Sequence, residues 1–200
     1  LNTGAEYSTR SARVLELFPE FDYEITDYVA LLPYDSDVAY LNLRFSLEDE
    51  NVELAIGNQE ITLEDDYYDY QVAVNPGNNI IVEFTVEGEE YTLTIYCAPR
   101  NGDDDAYLDD LAIRTRRSTS SSYEVDLTPD FDEDETAYVL PATASGTLYL
   151  YAEADSDMLI LVNDQVLGSY WTFDPAKTSQ VEVMVYAENL EDSTTYTITP

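Results

Sequence analysis

Apolar and polar residues alternate with a period of two along most of the chain. Between Val38 and Leu47, Ala39, Leu41, Leu43, Phe45 and Leu47 fall on one side, and Tyr40, Asn42, Arg44 and Ser46 on the other. A half-buried strand gives this pattern; a helix would bring apolar residues round every three to four positions. The alternation recurs at Val52-Leu54-Ile56, Tyr68-Tyr70-Val72-Val74, Ile80-Val82-Phe84-Val86 and Tyr91-Leu93-Ile95-Cys97. In the second half it recurs at Leu148-Leu150-Ala152, Val181-Val183-Val185 and Tyr196-Ile198. Ala12 to Leu17 and Tyr28 to Leu32 predict two further strands, and Met158 to Val162 is an apolar run short enough for a buried one. No stretch carries a helical period, so the chain is expected to be all-β.

Turn chemistry separates these segments. Gly57-Asn58, Asn75-Pro76-Gly77-Asn78 and Glu87-Gly88 each supply residues that reverse a chain, the last as a tight hairpin. Asn163-Asp164 occupies in the second half the place of Gly57-Asn58 in the first. Ser118 to Ser122 is a polar loop. Pro99-Arg100-Asn101-Gly102 followed by Asp103, Asp104 and Asp105 has the composition of a boundary.

One stretch is copied. Leu17, Pro19, Phe21, Asp22, Thr26, Tyr28 and Val29 recur as Leu127, Pro129, Phe131, Asp132, Thr136, Tyr138 and Val139, at a constant offset of 110. A copied stretch of that length implies a copied domain. The expected division is a β-sandwich domain at 1–99, an acidic linker at 100–106 and a second β-sandwich domain at 107–200. Each is of the size of an immunoglobulin-like sandwich, about 100 residues. The offset lays Leu1 on Leu111, so the first strand of domain 1 is expected to be truncated. In the copied stretch Pro19 should end a strand, Phe21 should turn inward, and Asp22 and Glu24 should face water.

The order Leu-x-Pro-x-Phe-Asp-x-x-x-Thr-x-Tyr-Val, a strand pair, an Asn-containing turn and a closing Tyr-Thr-(Leu/Ile)-Thr strand resembles the bacterial cadherin-like β-sandwich repeat. The closing strands are Tyr91-Thr92-Leu93-Thr94 and Tyr196-Thr197-Ile198-Thr199. The resemblance covers nearly the whole chain, twice. It implies two tandem immunoglobulin-like (cadherin-like) sandwiches of the kind found in secreted or surface-attached bacterial proteins, and no catalytic residue. It does not bring calcium with it, because the junction motifs of animal cadherins are not matched.

Charge narrows the partners. Forty-two Asp and Glu face eight Lys and Arg, a net charge of −34, and Lys177 is the only lysine. Nucleic acid and anionic membranes are excluded as partners of a basic surface. Arg114, Arg116 and Arg117 form the single basic cluster and read as local charge balance. Self-repulsion at this charge favours a monomer and suits secreted proteins, cation-rich surroundings and high salt alike; the extracellular or cell-surface setting is what the resemblance implies, with any export signal or anchor expected before Leu1. No run of 18 apolar residues is present, so direct membrane insertion by a helix is not expected. Cys97, the single cysteine, continues an inward-facing alternation and reads as a small buried hydrophobe; no histidine exists to activate it.

Three chemistries remain to weigh. Calcium favours clustered carboxylates, and Asp130, Asp132 and Asp134 alternate in the second copy where the first has Glu20, Asp22 and Glu24. The EF-hand pattern fails there, because its sixth position is Glu135 and its twelfth Pro141. Asp103 and Asp105, with Asp104, Asp109 and Asp110, are the second calcium candidates. Glycans or proteins could meet exposed rings, for which Tyr67, Tyr68, Tyr149, Tyr151, Tyr170 and Trp171 are the candidates. Hydrolysis needs only two carboxylates in a cleft, but there is no nucleophile elbow and no phosphate loop. The expectation is a non-catalytic spacer and adhesion module without a required cofactor, with carbohydrate binding through the Tyr/Trp clusters as its alternative.

Overall fold

In a computed structural model the described residues are all-β apart from one 3-10 turn at Ser121–Tyr123, at the end of the polar loop. The structure describes residues 4–5, 13–46, 53–61 and 67–200. Ala12, Leu47 and Val52, predicted to lie in strands, fall outside the described residues. The chain divides into two compact units, Leu1–Asn101 and Gly102–Pro200.

The first unit contains β1 (Gly4–Ala5), β2 (Arg13–Val14), β3 (Leu17–Phe18), β4 (Asp27–Leu32) and β5 (Tyr40–Ser46). It continues through β6 (Leu54–Ile56), β7 (Gln59–Ile61), β8 (Tyr67–Ala73), β9 (Ile80–Val86) and β10 (Glu89–Cys97). One sheet has the order β3-β4-β10-β9-β6-β7, and β5 pairs with β8 opposite it. Alternation explains the sandwich: Leu41, Leu43 and Phe45 of β5 share one buried cluster with Val82 and Phe84 of β9 and Leu93 and Ile95 of β10. Each such side chain contributes about 1.5–3 kcal/mol by leaving water.

The second unit contains β11 (Asp110–Arg114), β12 (Glu124–Val125), β13 (Ala137–Val139), β14 (Leu148–Glu153) and β15 (Leu159–Val162). It ends with β16 (Gln165–Val166), β17 (Trp171–Phe173), β18 (Val181–Tyr186) and β19 (Ser193–Thr199). Its sheets have the orders β12-β11-β14-β17 and β13-β19-β18-β15-β16. Its own core joins Leu148 and Leu150 to Val181, Val183, Val185 and Ile198. Two stacked sheets with connections that cross between them make both units immunoglobulin-like.

The copying reaches the hydrogen-bond register. Gly4 pairs with Val14 as Arg114 pairs with Glu124, at the same offset of 110. In both units an early strand pairs in parallel with the last one, β4 with β10 and β13 with β19. The tight hairpin closes with Glu87 at φ 52° and Gly88 at φ 83°, the two left-handed residues that a two-residue turn between twisted strands requires.

Three expectations need correction. Ala12 to Leu17 is not one strand: β2 and β3 are separate, and Leu15 between them packs against the core. Ala39 is exposed: it lies between the turn that closes from Val38 N–H to Asp35 O and β5, which begins one residue later. Phe21 is 39% exposed; its ring stacks on Tyr28, centroids 5.6 Å apart, at the rim of the sandwich instead of inside it.

Candidate functional site

The acids of the copied stretch belong to a turn built around a tyrosine. β3 ends at Phe18, and the Phe18–Pro19 and Thr128–Pro129 bonds are both cis. The chain then turns at Asp22, whose carboxylate accepts the Glu24 N–H at 2.9 Å; Asp132 does the same for Asp134 at 3.1 Å. The Ile25 N–H closes on Asp22 O, and the Glu135 N–H on Asp132 O. Beneath each turn lies a buried tyrosine. Tyr28 donates its hydroxyl to Asp22 O, and Tyr138 lies 2.8 Å from Asp132 O and 2.7 Å from Glu135 O.

A second tyrosine, from the closing strand, reaches the same loop: Tyr91 donates to Tyr23 O at 3.1 Å and Tyr196 to Glu133 O at 3.2 Å. Tyr196 also accepts the Leu108 N–H. Burial raises the hydroxyl pKa of Tyr28, Tyr91, Tyr138 and Tyr196, so these groups stay neutral donors. Asp130 and Asp134 are exposed beside this turn.

The boundary acids are partly committed as well. The Asp103 carboxylate accepts the Asp105 N–H, and its carbonyl accepts the Asn189 N–H at 3.1 Å. The Asp103 N–H donates to Glu188. Gly102 makes this approach possible, since a Cβ there would lie 2.7 Å from Asn189 N. Residues 102–105 thus lie as a strap on the loop between β18 and β19. Among the described residues, Asp103, Asp104 and Asp105 are the one set of three carboxylates whose oxygens come within 4.8 Å of each other, all exposed; Asp130, Asp132 and Asp134 form no such set.

The aromatic candidates divide by strand parity. Trp171 lies on the core-facing side of β17 with Phe173, ring centroids 5.9 Å apart, and Tyr68 packs against the first core opposite Phe45. Neither joins a ring platform, because the partner next in sequence points the other way. Tyr67 faces outward, and the Arg44 guanidinium sits 4.2 Å from its ring. Arg44 is held by a two-point pair with Asp69 at 2.7 and 2.8 Å, which lowers the Asp69 pKa.

Tyr149, Tyr151 and Tyr170 do come together, on the outer face of β12-β11-β14-β17. Tyr170 lies 5.5 Å from Tyr149 and 6.1 Å from Tyr151. The arginines join them. Arg114 pairs with Glu124 at 3.0 Å and lies 4.5 Å over Tyr151; Arg117 lies 4.9 Å over Tyr170 and Arg116 5.1 Å over Tyr123. Cation–π contacts of this kind contribute about 0.5–1 kcal/mol at exposed sites. Charge balance alone missed this arrangement. The signal was parity: Arg114 follows inward Leu111 and Ile113, so it points to the side of Tyr149, its direct neighbour across the strands.

Cys97 is buried, and desolvation pushes its thiol up to about 11, which leaves it a packing group. Two open grooves carry carboxylates. One, of about 270 Å³, holds Glu83 and Glu90, and the other, of about 210 Å³, holds Asp110, Glu124, Asp126 and Asp130. All six acids are exposed, so neither groove supplies the desolvated acid that a general-acid role needs.

No family model matches the chain, and no curated protein matches it. Among solved structures it is similar to the I9-I11 tandem from titin, at 12% identity over 87% of this chain and 62% of that one, with a TM-score of 0.24. The immunoglobulin-like assignment rests on the strand orders above.

Proposed function

We propose that the chain is a non-catalytic structural and adhesion module of a bacterial secreted or surface protein, a pair of cadherin-like sandwiches acting as spacer and contact surface. The observation that supports this most is the parallel pairing of β4 with β10 and of β13 with β19. Tension drawn through the C-terminal end of β10 or β19 slides that strand along its parallel neighbour and loads these hydrogen bonds together, in shear. Filled cores and exposed groove acids fit a shape better than a catalyst. The partner would be a protein or glycan at the cell surface, and no cofactor is required.

Stretching single molecules tests the reading. The chain should unfold in two separate force events, one per unit. Thr197→Pro removes the N–H that bonds Thr136 O and should weaken one event. Extension without force peaks would contradict a load-bearing role. Carbohydrate binding is the second reading, supported by the Tyr149-Tyr151-Tyr170 cluster. A glycan array with Tyr170→Ala as control tests it, although Arg114 and Arg117 already cover two of the three rings.

A further inference from the structure

The outer face of β12-β11-β14-β17 carries unpaired charge of opposite sign at its two ends among the described residues. At one end Asp110 and Glu153 are direct cross-strand neighbours, both exposed and both acidic. Like charges placed so repel each other, and among the described residues neither makes an ion pair. At the other end the chain runs from Arg114 into Arg116 and Arg117, both exposed and neither paired with a carboxylate among the described residues. Between the ends lie Tyr149, Tyr151 and Tyr170, half-buried and mutually packed. Asp110 and Arg114, the ends of β11, lie about 14 Å apart along the strand, and Arg116 and Arg117 follow in the bend beyond it.

We infer that this face docks on the same face of a second copy of the chain, about a two-fold axis that lies in the face and crosses the strands near Tyr149 and Tyr151. Such an axis reverses the strand direction. Arg116 and Arg117 of each copy then meet Asp110 and Glu153 of the other, and the arginine-covered tyrosines lie between the two charged contacts. A two-fold interface must be self-complementary, and a face acidic at one end and basic at the other is so. Tyrosine and arginine are also the residues enriched where proteins meet.

The association is weak. Four short strands offer roughly 300 Å² per copy from the sheet itself, well under the ~1,200 Å² total of stable complexes. The charge of −34 also opposes approach at low salt. The chain is therefore a monomer when dilute and unscreened. It pairs where copies are crowded and the Debye length has shrunk to about 8 Å. The inference is independent of the load-bearing reading, since a spacer need not self-associate and a self-associating chain need not bear force.

Sedimentation of the full chain tests it. The weight-average mass should climb towards twice the monomer with concentration at ~0.15 M salt, and climb less at ~0.01 M. Arg116→Glu with Arg117→Glu should abolish the rise, as should Asp110→Lys with Glu153→Lys. Mixing the two double variants should restore it, because each then supplies the charge that the other lacks. Unchanged circular dichroism and melting establish that both variants fold. A wild-type mass flat at the monomer value would overturn the inference. So would variants that associate like wild type, or a mixture that stays monomeric. Binding of an anionic polysaccharide through Arg116 and Arg117 without self-association would assign the face to that ligand instead.

Discussion

Tyr28 and Tyr138 donate to the carbonyl of the aspartate six residues earlier, and Tyr91 and Tyr196 reach the same loops from the closing strand. The sheet faces nearby have no such likeness. On β5 and β8 a single arginine, Arg44, is neutralised by Asp69 beneath Tyr67. On β11 and just beyond its end, three arginines lie over tyrosine rings and two of them meet no carboxylate among the described residues. The turn closes the sandwich, and losing a tyrosine hydroxyl there leaves backbone carbonyls unpaired. The faces can diverge because they close nothing, and that is where a difference in partners between the units would be written.

The largest effects should come from the turn and be alike in both units. Truncating the buried ring, in Tyr138→Ala or Tyr28→Ala, should cost about 3–5 kcal/mol of the stability of its own unit in denaturant melts. Removing only the hydroxyl, in Tyr138→Phe or Tyr28→Phe, should cost about 1–3 kcal/mol for the carbonyls left behind. A loss in one unit with indifference in the other would break the comparison.

The pH dependence follows from the same hydroxyls. The folded pKa values of Tyr28, Tyr91, Tyr138 and Tyr196 are raised. Their contribution is therefore fully present below the unfolded value of about 10 and is lost as pH rises through the folded values. Tm should fall steeply across the alkaline range, and each Tyr→Phe variant should flatten that fall. A Tm indifferent to pH there would remove the tyrosine account.

Smaller effects separate turn from metal site. Asp132→Ala or Asp22→Ala should cost about 1 kcal/mol through the lost backbone cap. A chelator should leave the wild-type Tm unchanged. A rise of several degrees on adding calcium, absent in Asp132→Ala or Asp103→Ala, would assign those carboxylates to a metal. Least of all, Arg44→Ala should cost at most about 1 kcal/mol, as exposed ion pairs do. A larger loss would mean that the first unit's face is also under structural constraint.

Period-two alternation made the all-β fold legible, and seven matched residues made the doubled unit legible. What it could not give was the end of each apolar run, because a strand stops where its partner stops. Ala39 and the gap between β2 and β3 are of that kind. Nor does adjacency in sequence put rings together: Tyr67 and Tyr68, like Tyr170 and Trp171, point to opposite sides of their strands. The arginine–tyrosine face was visible only once β11 was paired with β14, since the residues that meet there are some 35 positions apart.

Expressing Gly102–Pro200 alone, with the Gly102–Asp105 strap retained, tests most directly whether each sandwich is closed by its own core and its own tyrosine turn. The account predicts one cooperative melt, close in Tm to one of the transitions of the full chain and abolished by Tyr138→Ala. A fragment that stays unfolded until residues 1–101 are restored would contradict it.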